Sequence, residues 1–218
     1  MKFPLHLAVA SAALCATASA SDLDVRLESG GSSVITVAPG AAVPYQATGE
    51  LTDALNEGLA FFCFDLSFDG GSLAQAAAPV AGNMLQFATP LGINNPAGFG
   101  GTPVAGDLVQ VGGAQNTINQ SFAPKPSGGV ITGVAQAGSP EVLVSGGLVA
   151  PDQVGTYTLG LSNLRANAIR QGETGAPFWA VDAAAAGTLT DLVVEVSALS
   201  QSSNQYSLAA GTPVNFSL

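Results

Sequence analysis

With fifteen acidic residues, five basic ones and a single histidine, any chemistry in this sequence must rest largely on carboxylates. The histidine, His6, lies in an N-terminal segment with the features of a removable leader, so Ser-His-Asp and Cys-His catalysis are excluded from the remainder. Zinc sites built from His and Cys are excluded with them. The only lysines are Lys2 and Lys125, and Lys125 sits between two prolines in a loop, a poor setting for a desolvated amine nucleophile. What is left is paired acids for glycoside hydrolysis or oxygen ligands for calcium. Asp65 and Asp69 stand four apart in "AFFCFDLSFDGG" (60–71). On a strand they share a face at roughly 13 Å, too far apart for an acid/base couple. "DLSFDGG" also lacks the alternating acids and closing Glu of an EF-hand. A calcium site at the edge of a sheet is the remaining cofactor candidate, with Asp65, Asp69 and Asp107 as ligands and Asp182 as a further oxygen donor.

The most varied segment is "RQGETGAPFWAVDA" (170–183), which groups Arg170, Glu173, Trp179 and Asp182 as candidate ligand-binding residues. Alternation sets Trp179 and Val181 on one face, and Phe178, Ala180 and Asp182 on the other. A lone Trp in a β-sandwich is either a core residue or a platform for a sugar ring, and both readings stay open. Arg170 is expected to pair with a nearby acid such as Glu173. "GFGGT" (98–102) has the glycines of a phosphate loop without the Lys-Ser/Thr that follows them, and reads as a flexible loop.

These residues need a frame, and the first twenty residues are not part of it. Lys2, the apolar run "LHLAVASAALCAT" and Ala18-Ser19-Ala20 form a signal-peptide pattern with cleavage expected before Ser21. Leu14 precedes Cys15, where a lipobox requires a small residue. Cleavage leaves Arg26, Lys125, Arg165 and Arg170 against fifteen acids, a formal charge of −11 (4 − 15). Such a surface disfavours nucleic acid and anionic membranes as partners. No later run has the length of a membrane helix, so the mature chain is expected to be exported, without membrane insertion. Cys63 is then alone, which excludes an intrachain disulfide, and is expected to be buried.

Short alternating runs, broken by Gly and Pro every 8–15 positions, predict an all-β domain over 21–197. It is expected to be a jelly-roll or immunoglobulin-like sandwich of nine to eleven strands. The candidate strands are "DVRLE", "SSVITV", "VPYQATGEL", "AFFCFDLSF", "MLQFA", "DLVQVGG", "GVITGVAQ", "EVLVSGGLVA", "GTYTLGLSN", "APFWAV" and "TLTDLVVEV". Leu51, Leu55 and Leu59, four apart, suggest one or two helical turns, weakened by Gly58. Residues 88–107 and 113–129 read as long loops. Residues 198–218 read as a Ser-rich linker and a strand-like end, "YSLAAGTPVNFSL", that needs a partner or opens a second unit. In the strand after Ala60, Phe62, Phe64, Leu66 and Phe68 fall on one face, as a core strand requires. Phe61, Cys63, Asp65 and Ser67 fall on the other, for which the pattern assigns no role.

The order of segments resembles that of cohesin-like domains. The positions carrying the resemblance are Gly40, Val43, Pro44, Phe64, Leu66, Phe68, Asp69 and Leu73, with "GTYTL" and "GTLTDLVVEV" as the later strands. It covers roughly residues 24–196, and many of these positions are shared with carbohydrate-binding jelly rolls. Phe68 stands where a Tyr is usual, and the two long loops are departures. The resemblance implies a jelly-roll sandwich with a non-catalytic role, gripping a dockerin-type protein partner or a polysaccharide. The functional expectation is an exported binding module at the cell surface or in the medium. A carboxylate-dependent glycan-active enzyme using Glu173 and Asp182, or a purely structural envelope protein, is the alternative. The oligomeric state is not specified.

Overall fold

The computed structural model describes residues 21–77, 92–94, 99–115, 134–170 and 181–198. The signal-peptide segment, the candidate strand "MLQFA", most of 113–129, Glu173, Trp179 and the C-terminal stretch lie outside these residues. The described residues hold eleven strands and no helix: β1 (Asp22–Glu28), β2 (Val34–Val37), β3 (Ala42–Leu51), β4 (Asn56–Phe68), β5 (Gly92–Asn94), β6 (Gly100–Val104), β7 (Asp107–Gln115), β8 (Glu141–Val149), β9 (Gly155–Arg170), β10 (Val181–Thr190) and β11 (Leu192–Val196). The fold is an all-β jelly-roll sandwich, as its turn-punctuated alternation predicts.

One layer runs β8-β3-β1, and the other runs β5 and β6 on β7, then β4, β9, β11 and β2. β10 joins them. Its first four residues pair antiparallel with Ala166–Ile169 of β9, and its later residues pair parallel with β1. The ladder thus turns from one layer into the other along a single strand.

Period-2 burial fills the space between the layers. Val43, Tyr45, Ala47 and Leu51 point inward from β3, and Leu192, Val194 and Val196 from β11. The expected face of β4 is borne out: Phe62, Phe64 and Leu66 are fully buried and Phe68 nearly so. The rings of Phe62 and Phe64 stack at 5.8 Å between centroids, and Phe99 meets Phe62 edge-on. Such pairs add to the area term that dominates a core.

Three local expectations are corrected. The leucine spacing at 51–59 belongs to no helix: Leu51 ends β3, Leu55 is exposed in a turn and Leu59 is buried in β4. Strand pairing satisfies the backbone of Leu51 and Leu59 better than an isolated turn could, since Leu51 N–H donates to Ala135 O and Leu59 N–H to Val134 O. The loop read at 88–107 contains β5 and β6, both laid along the same edge of β7. "TLTDLVVEV" divides at Asp191, whose Oδ1 accepts the Leu161 N–H at 3.1 Å.

Two positions expose how tightly the layers close. Gly112 has φ +130°, and a Cβ there would run into the Phe62 carbonyl of the neighbouring strand. Gly112→Ala is expected to lower stability by about 2 kcal/mol or more in chemical denaturation, because the obstacle is backbone and cannot rotate away. Tyr45 is different: its hydroxyl is buried with no hydrogen-bond partner among the described residues, and burial pushes its pKa up to about 12. Its neutral form is favoured by folding, so stability is full below the unfolded value near 10 and falls as pH rises towards 12. Tyr45→Phe is expected to hold or raise stability at pH 7, by up to about 1 kcal/mol, and to flatten that alkaline decline. A loss of more than about 1 kcal/mol at pH 7 would contradict the unpaired hydroxyl.

Candidate functional site

The outer face of β4 is where the sequence pattern assigned no role, and around Asp65 the backbone of both neighbouring strands departs from regular pairing. Phe64 and Leu66 of β4 pair with Val111 and Leu108 of β7, so Val109 and Gln110 together oppose Asp65. On the other side Cys63 and Asp65 pair with Arg165 and Ser162 of β9, so Asn163 and Leu164 together oppose Phe64. Both neighbours of β4 therefore carry an extra residue at the same level. In each bulge one non-glycine residue takes the left-handed conformation, Gln110 at φ 58° and Asn163 at φ 53°.

Asp65 holds both. Its Oδ1 accepts the Gln110 backbone N–H at 2.8 Å, and its Oδ2 accepts the Asn163 Nδ2–H at 2.7 Å. A carboxylate is suited to the task because it offers acceptors on two sides and no donor. The same residues, with Val109, Leu164 and Arg165, line an open groove of about 560 Å³.

Cys63 lies beside it and is 4% exposed. The expected burial of this thiol is therefore found. Burial pushes the thiol pKa up, with the Arg165 guanidinium across the strand pair opposing it in part. It is thereby held as a neutral thiol, an inert neighbour of the groove.

The other candidates are placed as follows. Asp69 sits in the turn after β4, where its Oδ1 accepts the Thr158 N–H at 2.7 Å. Asp107 is exposed at the start of β7, in the hairpin opposite Val104. Among the described residues no three His, Cys, Asp or Glu side chains gather closely enough to hold a metal ion. Arg170 and Asp182 do meet, in a two-pronged ion pair of 2.8 Å and 3.2 Å. Asp182 lies beside Arg170 because β9 and β10 are adjacent and antiparallel, while the expected partner Glu173 lies outside the described residues. The Arg170 hydrogen bond holds the Asp182 carboxyl below its ordinary value. That suits a structural anion and is opposite to what a general acid requires.

Comparison with solved structures follows the architecture. The seventh ScaB type I cohesin of Pseudobacteroides cellulosolvens superposes with a TM-score of 0.51 at 14% identity, covering 82% of this chain and 94% of that one. The fold is cohesin-like. The cohesin of a type I cohesin–dockerin complex from Clostridium thermocellum gives 0.49 at 12% identity over 82% and 96% of the two chains. A non-cellulosomal cohesin of the archaeon Archaeoglobus fulgidus gives 0.46 at 9%, over 85% and 95%. No family model and no curated protein sequence matches the chain.

Sequence reasoning did not find Gln110, Asn163 or Leu164. The available signal was a slipped period: Leu108 and Val111, three apart, are both buried, as are Leu161 and Ala166, five apart. Asp65→Ala is expected to lower stability by about 2–3 kcal/mol, since it releases two donors held by a charged acceptor. Asp65→Asn is expected to lose less, retaining an acceptor for one of them. Equal stability of all three proteins in urea denaturation would show that the bulges stand without Asp65.

Proposed function

We propose that this chain is a non-catalytic protein-binding module that docks its partner on the outer face of β7, β4 and β9. The observation carrying this reading is the pair of left-handed bulges held by Asp65 on the outer face of β4. Left-handed backbone at a non-glycine residue costs about 1–2 kcal/mol, and two such residues at one level, both tied to one carboxylate, shape a surface more than they stabilise a domain. The groove is suited to a protein partner. Half-buried Val109 and Leu164 supply apolar contact, exposed Arg165 supplies a fork of donors, and the strands provide a rigid floor.

The cohesin-like fold supports the same reading, because the Clostridium thermocellum neighbour is described in complex with a dockerin. An exported location fits the apolar N-terminal run ending in Ala18-Ser19-Ala20. Among the described residues the ring on this face of β4 is that of Phe61, which is half-buried, and a single half-buried ring favours protein over polysaccharide.

The test uses immobilised full-length protein against the secreted proteins of the source organism and, in parallel, a glycan array. The expected result is retention of a discrete protein that is lost with Leu164→Asp and with Arg165→Glu, with thermal stability changing little in Arg165→Glu, whose side chain is exposed. Glycan binding without protein retention would overturn the reading. So would retention unaffected by both substitutions.

A further inference from the structure

A second groove, also of about 560 Å³, lies on the other layer, where β1 and β3 end beside β8. Its floor holds an unusual carboxylate. Glu28, the last residue of β1, is 8% exposed, and alternation turns its side chain away from the interlayer core. Gln46 Nε2 donates to its Oε1 at 2.6 Å, and Thr48 Oγ1 donates to the same oxygen at 2.9 Å. Both donors come from β3, the antiparallel neighbour of β1. The second oxygen, Oε2, receives no donor among the described residues and opens on the groove.

A carboxylate this withdrawn from water is stabilised by donors on both oxygens, and here only one is served. The lining supplies further acceptors in the Gln46 carbonyl oxygen and the Ser145 hydroxyl, and among the described residues it contains no Lys, Arg or His. The mouth is open. Gly30 and Gly31, at φ 58° and 84°, form a turn closed by reciprocal Ser29–Ser32 backbone hydrogen bonds, and nothing stands within 4 Å of where their Cβ atoms would be. Tyr45 is 3% exposed, so no ring is offered to the face of a sugar.

We propose that this groove binds an aliphatic primary ammonium group, the end of a lysine side chain on a partner polypeptide, with Glu28 Oε2 as its principal acceptor. An ammonium brings three donors and no acceptor, which matches a lining of acceptors around one negative charge. The acidic chain, with a formal net charge of −10, draws such a group in from a distance. The site goes beyond the protein-docking reading of the β7-β4-β9 face, lies on the other layer, and stands or falls separately from it.

The experiment is a titration of the full chain with Nα-acetyl-lysine methylamide, followed by the backbone amide signals of Gly30, Gly31 and Ser145 in nitrogen–proton correlation spectra. Saturable shifts are expected at these three, weakening as salt is raised. Acetylating the ligand's ε-amine is expected to reduce affinity by roughly tenfold or more, as loss of a charge-assisted hydrogen bond requires. Glu28→Gln is expected to do the same while Gln46 and Thr48 keep a neutral partner. Absence of saturable shifts, or equal shifts from the acetylated ligand, would overturn the assignment. Unchanged affinity in folded Glu28→Gln would overturn it as well. Should that variant fail to fold, the comparison of the two ligands on the native chain decides alone.

Discussion

β4 is paired along both edges, and this constrains everything around it. A central strand has no free edge on which to adjust its register, because a one-residue slip would turn every side chain to the opposite face. Its inner face is fixed by Phe62, Phe64, Leu66 and Phe68, which fill the space between the layers. Between Cys63 and Leu66 the irregularity is taken up by the neighbours: β7 has one extra residue opposite Asp65 and β9 one opposite Phe64, and the Asp65 carboxylate ties both to the same stretch of β4. A regular core and an irregular outer surface are thus held by one strand.

The same separation governs what each ionisable group can do. The core-facing Tyr45 hydroxyl is kept neutral by burial, whereas Asp182 beside Arg170 is kept ionised at the surface. Glu28 is withdrawn from water and hydrogen-bonded through one oxygen alone. Neighbouring side chains and depth of burial, more than residue type, separate a silent polar group from one that can engage a ligand.

The sandwich and the inner face of β4 could be read in advance because period-2 burial is a property of the chain itself, written locally at Phe62, Phe64, Leu66 and Phe68. Cys63 was expected to be buried on other grounds, as a lone thiol in an exported chain, and it is buried although it lies on the opposite face of β4. The leucines at 51, 55 and 59 misled because their spacing satisfies a helical period, although Leu51 and Leu59 are held by tertiary backbone bonds to Ala135 and Val134. The bulges were not legible for a related reason. Gln110 is an ordinary strand residue by composition, and in its left-handed conformation its N–H is accepted by Asp65, 45 positions earlier. Asn163 carried a faint mark, since Asn tolerates that conformation better than most side chains. The pairing of Arg170 with Asp182 depended in the same way on the adjacency of β9 and β10, which spacing along the chain does not encode.

The order in which the layers are joined also determines how the domain meets force. β1 lies parallel to β10, and β2 lies parallel to β11. When a molecule is pulled through Ser21 and Ser197, the two partners in each parallel ladder are drawn in opposite directions along their length. Their hydrogen bonds are then loaded together in shear, where an antiparallel hairpin at the ends would open one bond at a time. Tension along the chain would therefore be borne by two parallel ladders, one of β1 with β10 and one of β2 with β11.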